Sequence, residues 1–156
     1  MILWPDRPQR TAGETWGETG EMGIDTAGME VLERAECLRL LAMAPIGRIV
    51  FTERALPAVQ PVNFLVHGSD IVVRTSEGSR LARATRDAVV AFEVDEFDIE
   101  ARTGWSVMVV GPCRAVEDPA QRAELERLPL RPWAPGPRTH FLRIAIELVT
   151  GRRIPG

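Results

Sequence analysis

The segment 74–80, with the sequence RTSEGSR, offers the clearest chemistry in this 156-residue chain. Its arginines, Arg74 and Arg80, carry planar guanidinium groups that match the oxygen geometry of a phosphate. Its hydroxyl side chains add neutral donors, and the free amides at the start of a helix favour an anion. The segment therefore predicts a phosphate-binding site between a strand and a helix. In the alternative interpretation, Ser76 and Ser79 only cap the helix while both arginines face water.

Polar and aromatic residues also interrupt two segments that have the alternation of β-strands. Asn63 lies in the otherwise apolar run 61–64, where its amide must be satisfied. It could bind the edge of a flat ligand or form a hydrogen bond with a neighbouring strand. Trp105 and Ser106 are adjacent, so their side chains point to opposite faces of one strand. Only one of them can face a given ligand, and Trp105 would also suit a core or a subunit interface.

The composition limits what the protein can do. A chain of 156 residues with 45% hydrophobic content is long enough for one domain with one core. A net charge of -3 and a pI near 5.5 provide no basic field for a nucleic acid or an anionic membrane. All 19 basic residues are arginine, because the chain has no lysine, and it also has no tyrosine. A Schiff-base lysine and a tyrosine acid are therefore excluded.

The cysteines and histidines lack the spacing of a metal site or a disulfide framework. Cys37 and Cys113 lie far apart in sequence, and His67 and His140 are the only histidines. This pattern argues against both a metal centre and a disulfide. No apolar run reaches the roughly 20 residues that span a bilayer, and the N-terminus lacks the layout of a secretory signal. We therefore expect a cytoplasmic protein.

Apolar periodicity predicts the order of elements along the chain. Strands are predicted at 46–52, 59–66, 71–75, 89–94, 103–116 and 141–150, and helices near 31–44, 79–85 and 119–128. Gly111 and Pro112 interrupt one strand and predict a bulge or a sheet edge. No connection has the length of a helical crossover between parallel strands. The predicted fold is therefore mainly β, an antiparallel barrel of about six strands with two or three short helices.

Residues 1–28 differ from the rest of the chain. They combine Pro, Gly, Thr and Glu with two isolated tryptophans, Trp4 and Trp16, and show neither helical nor strand periodicity. We predict that residues 1–28 form a flexible tail and that residues 29–156 form the folded domain.

Eight short motifs occur in an order that is more specific than any one of them. They are Glu36-Cys37-Leu38, Gly47-Arg48-Ile49, Pro61-Val62-Asn63-Phe64, Arg74-Thr75, Gly78-Ser79-Arg80-Leu81, Phe92-Glu93-Val94-Asp95, Gly104-Trp105-Ser106-Val107 and Thr150-Gly151-Arg152-Arg153. In this order they resemble the pyridoxamine 5'-phosphate oxidase-like family of FMN-binding split barrels, over residues 31–154. The resemblance implies a split β-barrel that forms a homodimer with two flavin sites, each lined by both chains.

The resemblance also implies roles for individual residues, in three groups. The phosphate of flavin mononucleotide (FMN) would be held by Arg74, Thr75, Ser79 and Arg80. The isoalloxazine ring would be lined by Pro61, Val62, Asn63 and Phe64. The partner chain would contribute Trp105 and Ser106.

The chain departs from true pyridoxamine phosphate oxidases in ways that bear on its substrate. Those enzymes hold their substrate's phosphate with lysine and tyrosine and end in an arginine-leucine-alanine-proline segment. This chain has neither residue type, and in place of that segment it has Thr150-Gly151-Arg152-Arg153-Ile154. These departures argue against oxidation of vitamin B6. Arg80 also stands where the family has lysine, which keeps the charge but changes the geometry.

The expected function is a flavin-dependent oxidoreductase that acts on an unknown small molecule, with the cofactor carrying the electrons. No residue is a convincing catalytic acid or base. Two alternatives remain open. One is a deazaflavin-dependent reductase, whose polyglutamyl cofactor tail would need a basic groove formed by Arg83, Arg86 and Arg102. The other is a non-catalytic module that stores or senses flavin.

Overall fold

The computed structural model describes residues 23–25, 28–133 and 135–156. The predicted tail, with Trp4 and Trp16, therefore lies outside the described residues except at positions 23–25 and 28. In this short described part, Ile24 forms a β-bridge with Glu30. The Asp25 carboxylate accepts a hydrogen bond from Arg152 Nε at 2.6 Å.

Strands dominate the described chain. They are β1 (Glu30–Val31), β2 (Ile46–Glu53), β3 (Leu56–His67), β4 (Asp70–Thr75), β5 (Ala88–Asp98), β6 (Thr103–Ala115), β7 (His140–Ala145) and β8 (Leu148–Ile154). The helices are α1 (Arg34–Met43), α2 (Arg80–Ala84) and α3 (Pro119–Glu126). The three predicted helices are confirmed, and so are the predicted strands from β2 to β5.

Six of the strands close into an antiparallel barrel. Their order is β6-β5-β2-β3-β4-β7, and β7 pairs again with β6 to complete the ring. Strands β8 and β1 continue the sheet outward from β6, which splits the structure into a barrel and an extension. The barrel interior is filled by apolar side chains that alternate along each strand, among them Ile49, Phe92, Val109 and Ile144. The predicted split barrel is confirmed.

Gly111 and Pro112 do not interrupt β6, so the predicted bulge is wrong, and the strand has an edge at these two residues on one side only. The ladder between β5 and β6 is continuous through the pairs Val90↔Gly111 and Val89↔Pro112. On its other side, β6 pairs with β8 up to Val110 and with β7 from Cys113 onward. Pro112, which lacks an N–H group, therefore lies where β6 changes partner and no donor is needed. Gly111 is required there because a Cβ atom would collide with the carbonyl oxygen of Ala145.

The predicted strand 141–150 is also wrong as a single element. The chain leaves β7 at Ala145 and enters β8 at Leu148, because β7 pairs with β4 and the end of β6, whereas β8 pairs with β6 only up to Val110. At the break, the Ile146 amide donates to the Ser69 carbonyl at 3.0 Å. Ile146 is nevertheless buried, so the apolar alternation continues across the break and conceals it.

Both cysteines are buried and are packed as free thiols. Burial raises the pKa of the Cys113 thiol to about 11. Within the described residues no group of three potential ligands is arranged for a metal ion. None of the described helices combines the length and the apolar character needed to cross a membrane.

Helix α1 is fastened to β8 through Glu36. Its carboxylate accepts hydrogen bonds from Arg39 and Arg153, each at 2.7 Å. These two guanidinium groups lower the pKa of Glu36 from 4.5 to about 2. The stabilising contribution is therefore present above pH 4.5 and is lost as the pH falls toward 2.

We expect the variant Glu36→Gln to be slightly less stable than the parent protein at pH 7 and to lose less stability on acidification. Because a glutamine cannot ionise, the difference between the two proteins should shrink as the pH falls from 4.5 to 2. Urea midpoints measured across this range would check the prediction. A difference that stays constant with pH would show that the two ion pairs do not stabilise α1.

Candidate functional site

The candidate site lies where β3 changes its neighbour. Strand β3 pairs with β2 from Leu56 to Asn63 and with β4 from Phe64 to His67. Beside the residues of β3 just before this change is a pocket of about 230 Å³. It is lined by Ile46, Gln60, Pro61, Val62, Asn63, Arg74, Thr75, Trp133 and Arg138. Five of the residues predicted from the sequence are among them, namely Pro61, Val62, Asn63, Arg74 and Thr75.

The chemistry of this pocket is cationic and partly apolar. Two guanidinium groups, from Arg74 and Arg138, share it with two side-chain amides, a hydroxyl and an exposed indole. None of the described residues that line it carries a carboxylate. Such a surface suits a flat ligand with an anionic group.

Arg74 is held in place at the pocket by three contacts. Its Nε donates to the Arg138 carbonyl at 3.1 Å, and its Nη1 donates to the Leu130 carbonyl at 3.3 Å. Its guanidinium also lies 4.9 Å from the centre of the Phe141 ring. An arginine has five N–H donors, so most of them remain for a ligand.

The hydroxyl groups of the segment are hydrogen-bonded within the protein. Thr75 Oγ1 and Ser79 Oγ are 3.0 Å apart, and Ser79 Oγ accepts from the Ala82 amide at 3.1 Å. Ser79 therefore caps α2, as the alternative interpretation proposed. Ser76 instead donates to the Pro137 carbonyl at 3.1 Å.

Arg80 does not line the pocket. Its guanidinium forms an ion pair with Glu53 at the end of β2 and lies 5.8 Å from the centre of the Phe51 ring. The side chain is exposed. A phosphate at Arg80 would therefore compete with Glu53.

Asn63 uses both ends of its amide on the same loop. Its Nδ2 donates to the Arg131 carbonyl at 2.7 Å, and its Oδ1 accepts from the Trp133 amide at 3.4 Å. The neighbouring Phe64 points into the core, where its ring meets Phe92 edge-on with the centroids 4.7 Å apart.

Trp105 and Ser106 lie on β6, away from this pocket. The sheet order places β5 and β2 between β6 and β3. Trp105 packs against the core and lines a cleft with Arg153, whereas Ser106 lines a surface groove with Arg152. One chain alone therefore does not bring these two residues to the pocket.

Trp133 and Arg138 belong to the site in this structure but were missed from the sequence. Both lie in the proline-rich connection between α3 and β7. Trp133 is 71% exposed even though its own amide is held by Asn63. A lone tryptophan among prolines was the available signal, but only the fold shows that this connection reaches β3.

A larger cavity, of about 450 Å³, lies at the opposite end of β4. Its lining includes Arg114 and Arg143, together with Asp70, Glu117 and Glu147. Charges of both signs line this cavity, and its carboxylates would repel an anion. None of the site residues predicted from the sequence lines it. We therefore take the smaller cationic pocket as the candidate site.

Comparison with known proteins identifies the family. The profile of the pyridoxamine 5'-phosphate oxidase family matches residues 33–153. The uncharacterised Mycobacterium tuberculosis protein Rv0080 is 44% identical over 128 residues, which are 79% of this chain and 84% of that protein.

Two solved structures are also similar. The FAD binding protein from Mycobacterium smegmatis is 39% identical, with a TM-score of 0.68, over 79% of this chain and 96% of that one. A Corynebacterium diphtheriae protein of unknown function, DIP1874, is 30% identical, with a TM-score of 0.68, over 80% of this chain and 96% of that one. On the profile match, the sequence identity and the shared barrel together, this chain belongs to the pyridoxamine 5'-phosphate oxidase family.

Proposed function

We propose that the pocket beside β3 binds a flavin, namely FMN, through its phosphate, and that the protein is a flavin-dependent oxidoreductase acting on a small molecule. The observation that carries the proposal is the pairing of two guanidinium groups with an apolar wall and an exposed indole in a pocket whose described lining has no carboxylate. The similarity to a mycobacterial FAD binding protein at 39% identity supports a flavin as the ligand.

The residues present fit the chemical parts of a flavin. The unused donors of Arg74 and the hydroxyl of Thr75 would hold a phosphate oxygen at the end of β4. Pro61 and Val62 offer an apolar surface for a flat ring. The short helix α2 follows directly after Ser79, whose hydroxyl accepts from the Ala82 amide and caps the helix.

The same observations favour FMN over a deazaflavin with a long anionic tail. Such a tail would need Arg83, Arg86 and Arg102 as a groove. None of the three is among the described residues that line the pocket. Arg83 donates to the carbonyl of Gly78 in its own turn.

A second chain would complete the site. A pocket of about 230 Å³ is smaller than the roughly 300–1,000 Å³ typical of ligand sites, so one chain encloses only part of a flavin. The outer face of the sheet carries an apolar row that crosses five strands in register: Val59, Val50, Ala91, Val110 and Leu148. We propose that this apolar row is the interface of a homodimer, in which the partner contributes its own Trp105 and Ser106 to the flavin.

In this proposal the residues of the chain contribute to catalysis by positioning the flavin. A bound flavin supplies hydride transfer. The chain's own residues bind the phosphate, orient the ring against the apolar wall and exclude water from it. Because the chain has no lysine or tyrosine for a substrate phosphate, the substrate we propose is not a vitamin B6 phosphate.

Release and identification of the bound cofactor tests the proposal. We expect denatured purified protein to release FMN, by mass and absorbance, and apoprotein to rebind it at about one molecule per chain. Reduction by a nicotinamide donor, followed by turnover with an added acceptor, would support the oxidoreductase. Released FAD would correct the cofactor, and tight flavin without turnover would favour storage. Absence of any flavin, together with no binding of added FMN, would refute the proposal.

A further inference from the structure

We infer that residues 130–133 and 135–138, which we name the loop wall, stack Trp133 on the flavin ring, and that Asn63 and Arg74 position this wall. The inference rests on the proposed flavin site. It adds to that site a stacking role for Trp133 and an anchoring role for Asn63 and Arg74.

The loop wall is anchored by side chains of the strands that form the pocket. Asn63 holds the carbonyl of Arg131 and the amide of Trp133. Arg74 holds the carbonyls of Leu130 and Arg138. These four contacts reach both ends of the loop wall, so its backbone is fixed against β3 and β4.

The sequence of the loop wall favours this fixed position. Pro132, Pro135 and Pro137 restrict its backbone, which reduces the entropy that is lost when the loop is ordered. At its first residue, the side chain of Leu130 is buried in a small apolar cluster with Phe141. The loop wall is therefore prepared before any ligand binds, which lowers the entropic cost of binding.

Trp133 is the exception to this ordered arrangement. Its backbone is held by Asn63, yet its side chain is 71% exposed and lines the pocket. A large aromatic ring at the rim of a pocket is stabilised most when a flat ligand covers it and removes its surface from water. The apolar wall of Pro61 and Val62 lies in the same pocket, so an isoalloxazine ring could contact both surfaces.

The geometry also changes the interpretation of Asn63. The sequence left open whether its amide meets the ring edge or another part of the chain. In the structure the Nδ2 group donates one hydrogen bond to the loop wall and Oδ1 accepts one from it. Asn63 therefore acts on the ligand through Trp133 and is a positioning residue.

Flavin fluorescence provides a test of stacking that does not depend on activity, because an indole in contact with a flavin quenches its emission by electron transfer. We expect riboflavin titrated into the apoprotein to be quenched on binding. The variant Trp133→Leu should bind riboflavin about two- to tenfold more weakly, given the contribution of one aromatic pair, and should leave the bound flavin brighter. The variant Trp133→Phe should restore most of the affinity but not the quenching.

The positioning role is tested on the apoprotein by hydrogen exchange. Asn63→Ala should speed exchange of the amides in the loop wall, Trp133 included, and should brighten bound riboflavin as Trp133→Leu does. Asn63→Asp, which keeps the acceptor for the Trp133 amide, should have a smaller effect. The matched control is Gln60→Ala, because Gln60 also lines the pocket, whereas the loop-wall contacts described above come from Asn63 and Arg74.

These experiments distinguish a failure of the proposed function from a failure of the stacking role or the positioning role. If the parent protein binds neither FMN nor riboflavin, the proposed function fails and the stacking role fails with it. If the parent protein binds and quenches riboflavin but Trp133→Leu does the same with equal affinity, only the stacking role is overturned. Unchanged exchange in Asn63→Ala would overturn the positioning role, even though the flavin site stands.

Discussion

Replacing Arg74 by glutamine should weaken the binding of FMN by about ten- to a hundredfold and the binding of riboflavin by a smaller factor. A hydrogen bond to a charged group contributes roughly 1.5 to 3 kcal/mol, and each 1.4 kcal/mol corresponds to tenfold in affinity. Riboflavin lacks the phosphate, so it loses only the contribution of Arg74 to the loop wall, through the carbonyls of Leu130 and Arg138. Fluorescence titration of the apoprotein with each ligand measures both effects.

Arg80 supplies the comparison, because the structure pairs it with Glu53 rather than placing it in the pocket. If Arg80 turns to the phosphate, it must break its ion pair with Glu53. Arg80→Gln should therefore reduce the affinity for FMN less than Arg74→Gln does. Under the same assumption, Glu53→Gln should release Arg80 and strengthen FMN binding without changing riboflavin binding. Equal losses of FMN and riboflavin in Arg74→Gln would show that Arg74 only anchors the loop and does not bind the phosphate.

The barrel could be predicted from the sequence because its interior imposes a two-residue period on the strands. Ile49, Phe92 and Val109 are buried at positions where alternation places them. The same rule failed at Ile146, which is buried but lies between two strands. Periodicity reports which side chains are buried. It carries no information about which strand provides the hydrogen bonds.

The site was predictable only in part, for a related reason. Arg74, Thr75 and Asn63 are recognisable locally, because their chemistry or their polar character stands out in a strand. The contact that gives Asn63 its partner joins residues 70 positions apart. Glu53 is likewise 27 positions from Arg80. Partners this distant become visible only when the topology brings the strand ends and the proline-rich connection together.

A single substitution in the apolar row should abolish both dimer formation and flavin binding, which is the second large effect that we expect. Val110 lies in the middle of the row, between Ala91 on β5 and Leu148 on β8. Glutamate at this position would place a charge in an apolar interface, and two-fold symmetry would introduce it twice. Because the side chain points outward from the barrel, the isolated chain should still fold.

We therefore expect Val110→Glu to run as a monomer of 17.3 kDa in light scattering, whereas the parent protein should show about twice this mass. The variant should keep its strand signal in circular dichroism but lose most of its flavin, because Trp105 and Ser106 would no longer be supplied by a partner. Met43→Glu is the matched control, since Met43 is equally apolar and 67% exposed but lies at the end of α1, outside the row. It should remain a dimer with its flavin bound. A parent protein that is monomeric at micromolar concentration yet binds flavin would overturn the shared site, and a dimeric Val110→Glu would move the interface to another face.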